Sequence, residues 1–138
     1  MRQAPSFEDA LRQAVELMKK RFARYSAATV YVADGEELAV QVALDRPVGP
    51  ERVGSVSGPL AEAAHGVAPT VVSNLNNNEA WAGVGLTTGS VMVAPIRTEA
   101  GLWAIVEVWS DFRDAFTAHD VRLMVRVAGA LARKTPAA

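Results

Sequence analysis

The sequence predicts an α+β domain in which helices from the two ends of the chain cover one face of an antiparallel sheet. Three observations favour this class. Two pairs of strand-like segments are each separated by a short turn, which requires antiparallel pairing. One amphipathic helix pattern precedes the first pair, and another follows the last pair. No linker or internal repeat divides the chain, so residues 1–138 are predicted to form a single domain.

The N-terminal helix is predicted from Ser6 to about Arg24, and a hairpin follows it. Apolar residues recur at helical spacing along one face of this helix: Phe7, Leu11, Val15, Met18, Phe22 and Tyr25. The segment Thr29–Ala33 is β-branched and aromatic, and apolar residues alternate along Leu38–Leu44. Asp34-Gly35 between them tolerates positive φ and predicts the turn of the hairpin.

The middle of the chain is predicted to contain less regular structure. Residues 45–58 are rich in proline and glycine and are predicted to be a connection. A short helix is expected at Leu60–His65, and a short strand at Thr70–Asn74. The segment Leu75–Gly89 lacks clear periodicity, and loops of that length in small domains are usually functional or mobile.

A second hairpin and a long helix complete the predicted fold. Ser90–Ile96 and Leu102–Ser110 are the two strands, joined through residues 97–101. The last helix is predicted to span Thr117–Lys134. Thr117 is a good N-cap, and Asp120 at the third helical position completes a capping box.

Composition excludes several function classes. The chain has 138 residues with 50% hydrophobic and 21% charged residues, which is typical of a globular domain. A net charge of -1 disfavours nucleic-acid binding, which needs a basic patch. There is no cysteine, which excludes disulfides, thiolate nucleophiles and thiolate metal sites. No segment approaches the length of a membrane span, so we expect no membrane partner and a cytoplasmic location.

The C-terminal half resembles a GAF domain. The resemblance rests on the proline-containing strand Ser90–Arg97, the glycine-led strand Gly101–Ser110, the Phe-Thr-x-x-Asp helix start in Ala115–Asp120 and the Ala/Leu-rich helix Leu123–Arg133. Upstream, Gly66–Asn74 resembles a family strand that usually ends in Asp, with Asn replacing it here. The resemblance implies a GAF/profilin-like fold with five to six strands, ordered 2-1-5-4-3, and both terminal helices on one face.

The resemblance also implies a ligand pocket on the face opposite the helices. The final strand has two sides, and we expect Trp103, Ile105, Glu107 and Trp109 to point away from the helices. A carboxylate between indoles suits a neutral or cationic ligand. The alternative is a half-solvated sheet face. The residues predicted to bind the ligand are Asn74, Trp81, Thr88, Ser90, Trp103, Glu107 and Trp109.

We expect neither a metal site nor a cofactor, and no catalytic residue is predicted. His65 is expected to cap the short helix, and His119 has no partners at metal-ligand spacing. The glycine-rich residues 83–89 precede a strand rather than a helix, which disfavours phosphate binding. Among the activities known in the family, a thiol-dependent sulfoxide reductase or bilin site would need a cysteine. We therefore expect a protein that is not an enzyme, with an uncharacterised activity as a remote alternative.

The last helix carries more apolar surface than a sheet requires. Its apolar arc spans roughly 220° at about 100° per residue, and Arg122, Arg126, Gly129 and Arg133 share the remaining stripe. The first helix covers this surplus, or a symmetric dimer covers it through a four-helix bundle. The family resemblance favours the homodimer. Its predicted interface residues are Leu11, Met18, Phe22, Val121, Met124, Val125, Ala128 and Ala132.

The sequence therefore predicts a non-catalytic regulatory or sensory module that dimerises and binds an unknown small molecule. A signalling protein is its other expected partner. The alternative is a structural interaction domain whose pocket is filled by Trp103, Ile105 and Trp109.

Overall fold

Six antiparallel strands form one sheet in the computed structural model, which describes residues 7–45, 52–54, 60, 65–76, 81, 88–99 and 101–133. The elements in chain order are α1 (Phe7–Arg21), β1 (Ala27–Asp34), β2 (Glu37–Leu44), β3 (Arg52–Gly54), β4 (Thr70–Val72), β5 (Ser90–Thr98), β6 (Gly101–Ser110) and α2 (Ala118–Arg133). The strand order is β3-β2-β1-β6-β5-β4. When β3 is left out, this is the predicted order 2-1-5-4-3, so the predicted fold is confirmed.

The middle of the chain differs from its prediction in one strand. Arg52–Gly54 lies inside the predicted connection and pairs with the start of β2 at the edge of the sheet. Leu60 and His65 have helical backbone, as predicted, and the residues between them lie outside the described part of the chain. Trp81 also has helical backbone. A three-residue strand carries too short a pattern for alternation to reveal it.

Both helices pack on the same face of the sheet. Side chains from α1, α2 and four strands share one buried cluster, called the helix-side core: Leu11, Val15, Met18, Phe22, Ala28, Val30, Val42, Met92, Ala94, Ile96, Ala104, Val106, Val108, Met124, Val127 and Leu131. Burying a large aliphatic or aromatic side chain contributes about 1.5–3 kcal/mol. This core is therefore the main source of stability, and the predicted placement of both helices is confirmed.

The start of α2 is defined by the predicted capping box. The Thr117 amide donates to Asp120 Oδ2 at 2.8 Å, and the Asp120 amide donates to Thr117 Oγ1 at 3.3 Å. Next to the cap, the Phe116 ring packs edge-on against Phe22, with 6.1 Å between ring centroids. The end of α1 therefore lies beside the start of α2.

Asp45 ties the end of β2 to α1. Its carboxylate accepts a hydrogen bond from Lys19 Nζ at 3.1 Å and another from the Tyr25 hydroxyl at 2.9 Å. Both hydrogen bonds lower the pKa of Asp45, and the bond from Lys19 has the larger effect. Burial and the adjacent Asp45 carboxylate raise the pKa of Tyr25. The cluster is thus an ionised aspartate held between a cation and a neutral phenol.

Over the ranges that the structure describes, neither long helix combines the length and the apolar character that crossing a membrane requires.

Candidate functional site

A second set of buried side chains covers the face of the sheet opposite the helices. It comprises Tyr31, Leu38, Leu60, Leu75, Trp81, Val91, Val93 and Ile105, and we call it the second core. Along the strands these residues alternate with members of the helix-side core, as Tyr31 does with Val30 and Ile105 with Val106. Successive side chains of a strand point to opposite faces, so the two cores lie on opposite sides of one sheet.

Glu107 is the charged side chain buried on this face. It lies on β6 between Val106 and Val108, which belong to the helix-side core, so its carboxylate points the other way. It is 1% exposed, and its cross-strand neighbours are Thr29 on β1 and Val93 on β5. Thr29 is 2% exposed and adds a buried hydroxyl. Burying a carboxylate is costly unless hydrogen bonds or a counter-charge compensate it, and no basic side chain is buried in the described part of the chain.

Trp109 and Trp81 flank the second core in different ways. The Trp109 ring is half-buried against it, and its Nε1 donates to the Thr88 carbonyl at 2.8 Å. Trp81 is 5% exposed and is itself a member of the second core. Of the residues predicted to bind a ligand, Trp81, Glu107 and Trp109 thus lie on this side of the sheet, and Thr88 is bonded to Trp109.

Trp103 lies on the wrong face for the predicted site. The pairing of β5 with β6 shifts so that Ile96 faces Ala104 while Arg97 faces Leu102. Trp103 is the extra residue of this β-bulge, and it packs against the helix-side core, whereas Leu102 packs against the second core. The prediction that Trp103 shares a face with Glu107 is therefore wrong, because a bulge interrupts the alternation on which it depended.

Ser90 and Asn74 serve as turn and loop contacts. Ser90 is fully buried, and its hydroxyl donates to the Phe112 carbonyl at 2.7 Å and accepts from the Ala115 amide at 3.3 Å. Asn74 is exposed, and its Oδ1 accepts a hydrogen bond from the Asn76 amide at 3.0 Å. The contacts of these two residues hold the backbone near the start of β5 and the end of β4. They do not place either side chain against Glu107.

The two ends of the predicted Leu75–Gly89 loop are joined beside the second core. The Leu75 amide donates to the Gly89 carbonyl at 2.8 Å. Gly89 has φ +83°, and an added Cβ would collide with the Ser110 carbonyl oxygen. Glycine is therefore required at this position for both its backbone angle and the close approach of β6. The described end of the segment at Thr88 is in turn bonded to Trp109.

Sequence reasoning missed the residues of β1 that face this site. Thr29 and Tyr31 alternate with Ala28 and Val30, so a strict period of two would have placed them beside Glu107. Leu75, at the start of the long loop, gave no such signal because it follows no repeating pattern. It is nevertheless fully buried in the second core.

Neither histidine is buried beside Glu107. His65 and His119 are both exposed, and the carbonyl of Gly66, next to His65, accepts a hydrogen bond from Arg97 Nε at 2.8 Å. Within the described ranges, no three histidine, aspartate or glutamate side chains are grouped as metal ligands would be.

Four of the eight residues predicted at a dimer interface are inside the protein. Leu11, Met18, Phe22 and Met124 belong to the helix-side core, each 3% exposed or less, so they cannot contact a second chain. The remaining residues of that set lie at the surface of α2. Val125 is 51% exposed, and Val121, Ala128 and Ala132 are half-buried. An amphipathic pattern shows which face of a helix is covered, but not by what. Here the sheet covers most of the apolar face of each helix.

Comparison with known proteins adds a family match to this geometry. A family model described as GAF domain matches residues 4–133. No curated protein matches the chain significantly.

Solved structures match the fold over nearly the whole chain. A type II free methionine-R-sulfoxide reductase from Thermoplasma acidophilum is 16% identical, with a TM-score of 0.81 over 92% of this chain and 90% of that one. A GAF domain from a phosphoenolpyruvate-protein phosphotransferase of Coxiella burnetii is 18% identical, with a TM-score of 0.80 over 94% and 82%. A further structure, described as the GAF domain, is 15% identical, with a TM-score of 0.79 over 93% and 76%. At these identities the likeness shows the fold alone.

These matches correct the expectation that the chain is not an enzyme. Several of the matching structures are free methionine-R-sulfoxide reductases, so this fold carries enzymes as well as other GAF domains. A fold shared by both classes does not decide between them.

Proposed function

The chain belongs to the GAF domain family, and on that premise we propose that it is a regulatory or sensory module that binds a small neutral or cationic ligand beside Glu107. The observation that carries this proposal is a carboxylate, 1% exposed, on the face of the sheet that the helices leave uncovered. Buried ionisable groups concentrate at functional sites because a purely structural core gains nothing from their desolvation.

The surroundings of Glu107 support the same class of ligand. Its neighbours are apolar or hydroxyl-bearing, and the Tyr31 and Trp109 rings lie on the same side of the sheet. Aromatic faces and a carboxylate attract an amine or ammonium group, whereas an anion would meet repulsion. Ligand sites are mostly apolar with a few polar groups that fix orientation.

The proposal is tested with purified protein by native mass spectrometry and a thermal-shift panel. The panel contains amines, neutral amides and carboxylates of matched size, and each mixture is also assayed for turnover of the added compound. We expect stabilisation by amines or amides that Glu107→Gln abolishes. The control is Glu99→Gln, the same change at an exposed carboxylate, which should leave the response intact. No stabilisation by any compound, together with no bound mass, would overturn the proposal.

A structural interaction domain with a filled second core is the second candidate. The burial of Leu60, Leu75 and Trp81 on this face favours it. In that case the Glu107 carboxylate serves no ligand, and replacing it with Gln, which removes the desolvation cost of a buried charge, should raise the melting temperature. A more stable Glu107→Gln variant that shares the wild type's lack of ligand response would support this second function.

We also propose that the module acts as a homodimer through the surface of its helices. The proposed contact combines Val121, Val125, Ala128 and Ala132 of α2 with Leu17 of α1, which is 41% exposed. Large exposed aliphatic side chains on neighbouring helices are typical of an interface.

Light scattering at micromolar concentration tests the homodimer. Wild type and the control Val67→Asp should have dimeric mass, because Val67 is 89% exposed and lies outside the helices. Val125→Asp should be monomeric. A monomeric wild type refutes the homodimer. The cytoplasmic location expected from the sequence stays a prediction.

A further inference from the structure

The outward side of α2 carries positive charge without any acidic residue. Arg122, Arg126 and Arg133 follow one another at helical spacing with Gly129 between them, and all three arginines are exposed. We call these four residues the arginine stripe; it runs about 16 Å along the helix. The acidic residue of α2, Asp120, is buried and bonded within the capping box.

The arginine stripe is not neutralised within the described part of the chain. No ion pair joins Arg122, Arg126 or Arg133 to an acidic residue there. Like charges four residues apart, as in Arg122 and Arg126, destabilise a helix. A face that serves only solubility usually mixes both signs, as Asp9, Arg12, Glu16 and Lys20 do on α1.

Gly129 is a second and independent sign of a partner. Glycine in the interior of a helix is less favourable than any residue except proline. Among the residues that the structure describes, a Cβ added at Gly129 would meet only Arg133 Nη1, at 3.9 Å, so none of their other atoms requires glycine there. A missing side chain in the middle of a charged stripe lets another backbone approach α2 closely.

We infer that the arginine stripe binds an acidic helical segment of a different protein, which crosses α2 at Gly129. Glutamates or aspartates spaced three to four residues apart on such a helix would pair with the arginines. A second copy fits the arginine stripe itself poorly, since the proposed dimer contact uses the adjacent apolar side of α2. Its α2 brings the same charges, and among the α1 side chains that the structure describes, the exposed acids Asp9 and Glu16 are outnumbered by four basic residues: Arg12, Lys19, Lys20 and Arg21. A polyanion such as duplex DNA would meet a chain of net charge -1.

The test uses the full chain and a fluorescent helical peptide. Along this peptide, successive glutamates are three or four residues apart and lie beside a face made of alanine. Fluorescence polarisation measures its dissociation constant at low and high salt. We expect Arg122→Glu/Arg126→Glu to weaken binding about tenfold or more. The matched control, Lys20→Glu/Arg21→Glu, makes the same change in net charge on α1 and should alter binding less than about twofold.

Gly129→Ala separates binding from folding. Alanine should raise the melting temperature and weaken peptide binding about tenfold, which a merely structural glycine would not do. The inference is overturned by no binding to wild type, by equal binding of a peptide with glutamine in place of glutamate, or by tighter binding of duplex DNA. It is also overturned if the Arg122→Glu/Arg126→Glu variant changes the oligomeric mass, because the stripe would then contact a second copy.

Discussion

Removal of the Ser90 hydroxyl is the most informative single perturbation of this fold. Ser90 is fully buried at the start of β5, and its hydroxyl bridges the Phe112 carbonyl at 2.7 Å and the Ala115 amide at 3.3 Å. Both partners lie in the segment between β6 and α2. Ser90→Ala therefore removes two hydrogen bonds that connect the base of the long loop to the beginning of the last helix.

The expected cost follows from the burial of these groups. Loss of the bond to the Phe112 carbonyl costs about 1 kcal/mol net, and the buried Ala115 amide, left without an acceptor, costs about 1–3 kcal/mol. Ala115 is 9% exposed, so water does not readily replace the hydroxyl at its amide. We expect Ser90→Ala to lower the free energy of unfolding by about 2–4 kcal/mol. Urea denaturation monitored by tryptophan fluorescence measures this loss of stability. We expect the m value to stay unchanged.

Ser26→Ala is the matched control for this prediction. The Ser26 hydroxyl also bridges to the segment after β6, accepting from the Asp111 amide at 3.0 Å, but that contact is exposed. Water can take its place, so the loss should stay below about 1 kcal/mol. The reasoning is refuted if Ser90→Ala unfolds within about 0.5 kcal/mol of wild type, or if Ser26→Ala costs as much.

Three further predictions concern single positions. Gly89→Ala should destabilise the protein by more than about 3 kcal/mol in urea, whereas Gly35→Ala, at φ +64° with no atom nearby, should cost about 1–2 kcal/mol; equal losses would contradict this. Because the pKa of Asp45 is lowered in the fold, its contribution is present above pH 3.8, its ordinary value, and is lost as the pH falls further. Asp45→Asn should therefore be less stable than wild type at neutral pH, and the difference should shrink in acid melts. Trp109→Phe removes the indole bond to Thr88 and should speed amide exchange at the start of β5, with global stability changed by about 1 kcal/mol.

Local signals made most of the fold predictable. The capping box of Thr117 and Asp120 involves residues three apart, and the hairpin turns involve neighbours, so their chemistry is visible in the sequence. The family resemblance supplied the strand order, which no local rule contains. The short strand β3 escaped prediction because three residues do not establish a period.

The candidate site was only partly predictable because its contacts join distant segments. Glu107 was placed correctly by alternation, but the same rule failed at Trp103, where a bulge shifts the register. Ser90 looked like a pocket residue, yet its hydroxyl binds backbone groups that follow it by 22 and 25 residues. Such partners cannot be found from spacing.

The proposed dimer surface shows a different limit of the sequence pattern. A helical projection identifies apolar faces but not what covers them. Met18 and Met124 satisfy the pattern of an interface and the pattern of a core equally well, and they are core residues.

The hydrogen bond between the Leu75 amide and the Gly89 carbonyl has a consequence for the evolution and engineering of this module. It fixes the two ends of the intervening segment, so insertions there need not shift the strands on either side. Doubling the length of a closed loop costs only about 0.6 kcal/mol. Insertions that keep Trp81, a member of the second core, should therefore be tolerated between Asn76 and Thr88 without loss of the sheet. One scaffold can in this way be given new ligand preferences by additions to a single segment.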